Sequence, residues 1–268
     1  VLTGTNKSKN YKVGPRLGID LMKYREKAMA NIVIDGIIVD QGPQNRYKDA
    51  ARTLLVRKAN PKTGENPTPD QGGIMVRVSR SPVSGKVWKI IVQNCIVMNS
   101  APTKGALSVS GYQGTKTLIR NNLVINNTGS GLFLGSKYHA RSAKDAPLFH
   151  VVGNTVLFTQ KYTAYEQSYS GVSLETDPRV NVIAQNNVLG FADRIGVQQS
   201  GKIPMKLQGN IIVGNMLTDY YEAVGDAKIK LSDLEDEAEH LHEDSRGNGN
   251  SKFKVPVNAE WAKLYSSR

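Results

Sequence analysis

A phrase that recurs six times along the chain constrains its fold more than any other feature. Each copy contains an apolar run, a corner rich in Asn, and a second apolar run, and in the first five copies a Gly followed by alternating apolar residues comes next. The corners read Ile34-Asp35-Gly36-Ile37-Ile38, Gln93-Asn94-Cys95-Ile96-Val97, Arg120-Asn121-Asn122-Leu123-Val124, Gly153-Asn154-Thr155-Val156-Leu157, Gln185-Asn186-Asn187-Val188-Leu189 and Gln208-Gly209-Asn210-Ile211-Ile212. The apolar runs are about 4–5 residues long, rich in Val and Ile, and spaced by two, which is typical of strands and not of helices. Each copy is therefore predicted to form three short strands joined by bends.

Such a unit cannot bury its apolar side alone, so copies are expected to stack into a solenoid. Asn suits the corners because it tolerates the left-handed backbone region and its amide can bond to an amide one rung above or below. Two neighbouring columns are rich in Asn. The first contains Asn94, Asn121, Asn154 and Asn186, and the second contains Cys95, Asn122, Thr155, Asn187 and Asn210. Because Cys95 and Thr155 stand in the second column, we expect that column to be the internal ladder.

This arrangement resembles the right-handed parallel β-helix of pectate-lyase-like proteins over roughly residues 29–215. The expected fold is all-β, a right-handed parallel β-helix solenoid of about six to seven rungs with a short C-terminal capping helix. Residues 1–28 are predicted to form a partial rung and an N-terminal cover, and the longest insertion spans 41–72. Residues 216–268 are predicted to form a C-terminal cap with an extended tail. Within it, the capping box Ser232-Asp233-Leu234-Glu235 indicates a helix over 233–242.

Charge points to an anionic partner. The chain has a formal net charge of +12, and residues 1–210 hold 28 Lys and Arg against 12 Asp and Glu. A cationic surface of this size concentrates anions, although excess Lys also keeps a long sheet protein soluble. No helix-turn-helix, zinc-ligand spacing or aromatic sheet motif for nucleic acid is present. Charge thus leaves an acidic polysaccharide or an anionic cell surface as candidate partners. The resemblance implies an acidic polysaccharide, and not nucleic acid, as the partner, and we expect a monomeric protein.

The remaining composition bounds are simple. One Cys rules out an intramolecular disulfide, and Cys95 is expected to be a buried packing residue. No apolar stretch approaches the ~20 residues of a transmembrane helix, and no signal peptide is visible. The resemblance implies a secreted, cell-surface or periplasmic protein.

Residues that alternate with the apolar ones after each Gly should point to solvent and stack into columns. The expected first column is Met75, Ser108, Phe133, Ser173 and Gln198. The second is Arg77, Ser110, Gly135, Glu175 and Ser200, and the third is Ser79, Tyr112, Lys137, Asp177 and Lys202. One face of the solenoid would thus carry Arg, Tyr, Lys, Glu and Asp side chains together.

β-Helix polysaccharide lyases and uronate epimerases place catalytic groups on this kind of face. Two turns on consecutive rungs are rich in ionisable groups, Ser136-Lys137-Tyr138-His139-Ala140-Arg141 and Glu175-Thr176-Asp177-Pro178-Arg179. The second resembles the Gly-Phe-Asp-Pro-His turn of mannuronan epimerases, with Arg179 in place of His. Lys137 with Arg141 or Arg179 resembles the Lys and Arg of lyases of the chondroitinase B and alginate lyase kind.

The resemblance implies β-elimination, in which the proton α to a uronate carboxylate is removed and the glycosidic oxygen leaves. Arg77, Arg141 or Arg179 would neutralise the carboxylate, and Lys137 would be the base. The second proton would pass through Tyr112, Tyr138 or His139. Further substrate contacts are expected from Glu175, from Arg52 in the long insertion and from Tyr165 in a second excursion. No cofactor is required by this scheme, but calcium bound by Glu175 and Asp177 is an alternative neutraliser.

Two other functions are weighed against a lyase. Inverting hydrolysis needs two or three clustered carboxylates, and only Glu175 and Asp177 fall on the predicted face, so it is disfavoured. A non-catalytic surface, adhesion or structural module, with a basic face that binds an anionic glycan, stays open as the alternative.

Overall fold

The structure of the chain, a computed structural model, describes residues 2–3, 17–21, 31–42, 72–78, 87–100, 105–136, 138, 140, 142, 144–160, 171–201, 203 and 205–223. These residues form twenty β-strands and contain no helix. The strands belong to three sheets in which every neighbouring pair is parallel. The predicted all-β parallel β-helix of about six to seven rungs is confirmed. The capping helix predicted at 233–242 lies outside the described residues.

Sheet A contains the shortest strands. It consists of β1 (Leu2–Thr3), β4 (Ile38–Asp40), β7 (Ile96–Met98), β10 (Leu123–Ile125), β13 (Thr155–Leu157), β16 (Val188–Gly190) and β19 (Ile211–Val213) in this order. Sheet B consists of β2 (Leu17–Leu21), β5 (Ile74–Val78), β8 (Gly105–Gly111), β11 (Ser130–Ser136), β14 (Val172–Thr176), β17 (Ile195–Ser200) and β20 (Thr218–Ala223). Sheet C consists of β3 (Asn31–Asp35), β6 (Lys89–Gln93), β9 (Lys116–Arg120), β12 (Leu148–Val152), β15 (Asn181–Gln185) and β18 (Lys206–Gln208). The chain passes from sheet B to C to A and back to B in each rung, so β2 lies inside the predicted partial rung and β20 extends past residue 215.

One apolar core runs the length of the solenoid. Alternate side chains of every strand point inward, so Ile74, Leu107, Leu132 and Leu174 of sheet B meet Val97, Val124 and Val156 of sheet A and Ile90, Ile119 and Phe149 of sheet C. All of these side chains are buried. Because each rung contributes only a few of them, burial on both sides by neighbouring rungs is what stabilises a unit.

The internal ladder lies at the corner from sheet C to sheet A. Asn122, Asn154, Asn187 and Asn210 are buried there, in one column that begins with Cys95. Each amide donates its Nδ2 to the next Oδ1, at 2.9 Å from Asn122 to Asn154, 3.0 Å from Asn154 to Asn187 and 2.8 Å from Asn187 to Asn210. The prediction that the second Asn column is internal is confirmed. The expected places of Asn154 in the first column and of Thr155 in the second are both wrong by one residue, because Val152 pairs with Arg120 and Gln185 and so aligns Gly153 with Asn121 and Asn186. Thr155 instead begins β13, opposite Leu123.

The first column forms an exposed ladder in left-handed backbone. Its members Asn94, Asn121, Gly153 and Asn186 have φ of 54°, 53°, 63° and 53°. Asn121 donates to Asn94 at 2.7 Å, and Asn94 donates to Asp35 at 2.8 Å. Hydrogen bonds from Asn94 and Gln93, together with the charge of Arg120, lower the pKa of Asp35. This corner has two residues between strands in all six rungs.

Burial raises the pKa of the Cys95 thiol, which agrees with the expected packing role. Its Sγ lies 3.0 Å from the carbonyl oxygen of Gln93. Among the described residues, no helix is long and apolar enough to cross a membrane.

Candidate functional site

The outward columns of sheet B differ from the predicted ones in one rung. Phe133 pairs with Glu175, and Glu175 pairs with Gln198, so Glu175 and not Ser173 stands in the first column. Asp177 then aligns with Gly135 and stands in the second column, together with Arg77 and Ser110. The predicted placement of Ser173, Glu175 and Asp177 is wrong by two residues. Its cause is Gly171, which has φ of 76° and belongs to the corner, whereas the sequence pattern treats it as the start of the strand.

The first outward column is buried. Met75, Ser108 and Phe133 are each less than a tenth exposed, Glu175 is 6 % exposed, and Gln198 is 1 % exposed. The Ser130 hydroxyl donates a hydrogen bond to the Glu175 carboxylate. A polymer at the surface does not reach these side chains in this conformation. The accessible candidates lie further along the strands.

The accessible residues lie at what we call the sheet-B edge, the turns that follow β8, β11 and β14. Tyr112 follows β8 and Tyr138 follows β11, and both are half-buried. Their rings meet edge to face, with centroids 5.2 Å apart and an interplanar angle of 64°. The register that pairs Gly111 with Ser136 brings the two tyrosines together although they are 26 positions apart in sequence. Two of the residues expected to move a proton are therefore in direct contact.

Backbone hydrogen bonds hold both tyrosines in place. Tyr112 N donates to Thr115 Oγ1 at 2.9 Å, and Thr115 N donates to the Tyr112 carbonyl at 2.9 Å. The Ser136 hydroxyl accepts from Tyr138 N at 3.0 Å and donates to the Tyr138 carbonyl at 3.1 Å. These small closed rings fix the backbone of the two turns from which the phenol rings project.

Asp177 and Arg179 form a bidentate ion pair in the next turn. Arg179 Nε lies 2.8 Å from Asp177 Oδ1, and Arg179 Nη2 lies 2.9 Å from Asp177 Oδ2. The backbone N of Arg179 also donates to Asp177 Oδ1 at 3.2 Å. The guanidinium is thus fixed in the turn and its side chain stays 31 % exposed. Fork-to-fork pairs of this kind are the more specific ones because both hydrogen bonds restrict the planar group.

Arg77 stands in the second outward column, three strands from Asp177. Its Nη2 lies 3.5 Å from Asp20 Oδ2, the residue directly opposite on β2. At about 4.8 Å per strand, Arg77 and Asp177 are separated by roughly 14 Å along the solenoid. The structure therefore brings Tyr112 and Tyr138 together, holds Arg179 with Asp177 one strand away, and leaves Arg77 on the opposite side of the tyrosines.

Five of the predicted site residues lie outside the described residues. They are Arg52, Lys137, His139, Arg141 and Tyr165, and their roles stay predictions. The calcium alternative also stays a prediction. The described part of the chain has no group of three or more His, Cys, Asp or Glu side chains that could hold a metal ion, and both carboxylate oxygens of Asp177 accept from Arg179.

Sequence reasoning missed the polar partners of the site. Ser130 contacts Glu175 and Asp20 contacts Arg77. Both contacts connect residues more than forty positions apart, so only the strand register reveals them. The pairing of Asp20 with Arg77 could have been predicted from the sequence, because it needed only the alignment of Leu17–Leu21 with Ile74–Val78.

No protein-family model, curated protein or solved structure matches this chain.

Proposed function

We propose that the chain is a carbohydrate-active β-helix protein that acts on an acidic, uronate-containing polysaccharide at the sheet-B edge. The observation that carries the proposal is the contact between Tyr112 and Tyr138 beside the fixed guanidinium of Arg179. Tyrosine rings pack against sugar rings while their hydroxyl groups remain hydrated, and Arg binds carboxylates in two-pronged geometry. Rungs repeat every ~4.8 Å, so groups two rungs apart are ~10 Å apart, a distance that one sugar unit can bridge.

The proposed reaction is β-elimination. The base takes the proton on the carbon α to the uronate carboxylate, the C–O bond to the neighbouring sugar breaks, and the electron pair forms a carbon–carbon double bond. The departing oxygen takes a proton from the protein. Arg179 or Arg77 would neutralise the carboxylate, Tyr112 or Tyr138 would supply the proton, and Lys137 is the proposed base. The family resemblance adds a secreted, cell-surface or periplasmic location to the proposal.

A non-catalytic glycan-binding module is the second candidate. The observation that favours it is that ionisable side chains of sheet B and its turns already pair with one another, Arg179 with Asp177 at the sheet-B edge and Arg77 with Asp20 between β5 and β2. Such pairs can present charge to a polymer without taking part in chemistry.

Incubation with alginate, pectate, chondroitin and heparin-type polymers separates the two candidates. A lyase generates an unsaturated product that absorbs in the ultraviolet, and Lys137→Ala should abolish this signal while binding is retained. Binding without any product on all four polymers would favour the non-catalytic module. Full activity of Lys137→Ala would remove Lys137 as the base.

A pair of arginine variants tests the location of the site. Arg179→Ala should weaken binding to whichever of the four polymers the wild-type protein binds, since it removes a cation from the sheet-B edge. Arg120→Ala is the matched control, because Arg120 lies on the exposed face of sheet C and likewise donates to one polar side chain, that of Gln93. Equal losses in both variants would mean that binding follows net charge alone and not this edge.

A further inference from the structure

Positive charge is distributed unevenly over the three sheets. Among the described strands of sheets A and B, the one cation is Arg77, and it pairs with Asp20. The strands of sheet C carry one acid, Asp35, whose carboxylate already accepts hydrogen bonds from two neighbouring amides. The same strands carry four exposed cations, which are Lys89, Lys116, Arg120 and Lys206. An anionic ligand is therefore attracted to sheet C and its borders.

Two of these cations lie directly opposite each other at the border between sheets B and C. Lys89 begins β6 and Lys116 begins β9, and the register pairs the two residues. The backbone N of Lys116 donates to the carbonyl of Trp88 at 2.9 Å, so the two strands are joined at this point. The exposed lysines are thus about 4.8 Å apart, which is the spacing of neighbouring strands. Their column continues with Asn31 on one side and Leu148 on the other, and neither of these carries a charge.

The lysine pair opposes folding, because like charges that face each other on neighbouring strands repel. Within the described part of the chain, neither Lys89 nor Lys116 forms an ion pair. Asp145 lies in the neighbouring turn, where its carbonyl accepts from the backbone N of Gly114 and its carboxylate accepts from the Ser142 hydroxyl at 3.0 Å. An anionic group that bridges the two ammonium groups would cancel the repulsion between them.

The lysine pair continues the row of residues at the sheet-B edge. Lys89 belongs to the rung of β6, and Lys116 follows Tyr112 by four residues in the next rung. Tyr138 precedes β12 and Arg179 precedes β15, so each belongs to one further rung. The four rungs span about 14 Å along the solenoid. Cations therefore stand at both ends of this row, and the two tyrosine rings lie between them.

We propose that Lys89 and Lys116 together bind one acidic group, a carboxylate or a sulfate ester, of the polymer that the sheet-B edge binds. This inference rests on the proposed function and adds to it a second anion subsite. It also gives the polymer a direction, along the border between sheets B and C and parallel to the axis of the solenoid. Arg179 binds another acidic group at the far end of the row. Arg120 ends β9 about 13 Å from Lys116 and takes no part.

Polymer affinity tests the proposal directly. Lys116→Gln should weaken binding about threefold, and the same variant with Lys89→Gln about tenfold. Lys206→Gln is the matched control, since Lys206 is an exposed lysine of the same sheet that pairs with the apolar Ile183, and it should leave the affinity within about 1.5-fold. Pectate offers carboxylates alone and a heparin-type polymer also offers sulfates, so the larger loss shows which group the pair binds. Equal losses in Lys116→Gln and Lys206→Gln would overturn the subsite, and an accompanying loss in Arg179→Ala would leave the proposed function intact.

A second measurement needs no polymer. Lys116→Gln should raise the urea midpoint at low salt, because it removes the repulsion, whereas Lys206→Gln should not. Sodium sulfate, compared with sodium chloride at equal ionic strength, should raise the midpoint of the wild type more than that of Lys116→Gln, since sulfate stabilises the protein that binds it. Equal effects of sulfate on both proteins would overturn the subsite. The sulfate difference in a wild type that binds none of the four polymers would refute the proposed function but keep the anion subsite.

Discussion

Replacing Asn154 by Ala would remove the central amide of the internal ladder. Asn154 is fully buried. Its Oδ1 accepts from Asn122 N at 3.1 Å and from Asn122 Nδ2 at 2.9 Å. Its Nδ2 donates to the Ile119 carbonyl at 2.9 Å and to Asn187 Oδ1 at 3.0 Å. The substitution therefore leaves two donors of Asn122 without their acceptor inside the solenoid.

The expected loss follows from those two donors. Leaving one buried polar group unsatisfied costs about 1–3 kcal/mol, so two of them predict a loss of about 4 kcal/mol in the free energy of unfolding. The Asn187 Oδ1 keeps one donor, the backbone N of Asn154, at 2.9 Å, and adds little. A loss of this size is a large fraction of the roughly 5–15 kcal/mol by which a domain is stable.

Urea unfolding followed by far-ultraviolet circular dichroism measures the loss as a lower midpoint at unchanged slope. Asn121→Gly is the control. It removes an amide of the exposed ladder at φ of 53°, a backbone that Gly adopts freely, so we expect less than about 1 kcal/mol. If Asn154→Ala unfolds within about 1 kcal/mol of Asn121→Gly, burial of the ladder does not stabilise the corners as argued.

Three further predictions concern the same corners and the core. Gly153→Asn should be neutral or stabilise the fold by about 0.5 kcal/mol in the same unfolding assay. Nothing lies within 4 Å of an added Cβ, Asn tolerates φ of 63°, and the new amide would complete the exposed ladder. A loss above about 1 kcal/mol would contradict this. Gly131→Ala should destabilise by about 1–3 kcal/mol, since its Cβ would clash with Val156 Cγ1 and lie 2.8 Å from the Ser173 carbonyl oxygen. An unfolding midpoint equal to that of the wild type would refute it. Because the pKa of Asp35 is lowered in the folded state, its carboxylate stabilises the fold above the unfolded-state pKa, and this contribution is lost as pH falls through the folded-state pKa. An NMR titration of Asp35 should give a midpoint below 3.8 that rises in Asn94→Gly. An unchanged midpoint in that variant would exclude the hydrogen bond from Asn94 as the cause of the lowered pKa.

The architecture could be predicted from the sequence because every rung repeats the same local chemistry. Asn at the corners and Val or Ile at period two are properties of single units, and the stacking of units follows from the apolar surface each one leaves exposed. The exact register between the strands of neighbouring rungs was harder to predict. Gly153 occupies a left-handed position where Asn stands in the neighbouring rungs, and Gly171 occupies one where Gly129 stands in the preceding rung. Alignment on Asn154 and Gly171 therefore shifted these two rungs by one and two residues, and alignment on Asp35 shifted the first corner by one.

The candidate site was predictable from the sequence only in part. The contact between Tyr112 and Tyr138 follows from adjacent rungs, which the repeat gives. Whether an outward residue is accessible depends on what packs over the sheet, and the repeat contains no information on this. Glu175 illustrates the limit, since alternation places it outward correctly but does not reveal that it is buried against Ser130.

The constant two-residue corner between sheets C and A also determines where this chain can acquire new sequence. The other two corners vary, from 4 to 33 residues between sheets A and B and from 4 to 11 between sheets B and C. An extra residue at the C-to-A corner would displace an amide from the internal row and rotate every following rung out of alignment. Insertions are therefore tolerated only at the two borders of sheet B, so evolution can diversify the loops around that sheet while the pitch of the solenoid stays the same.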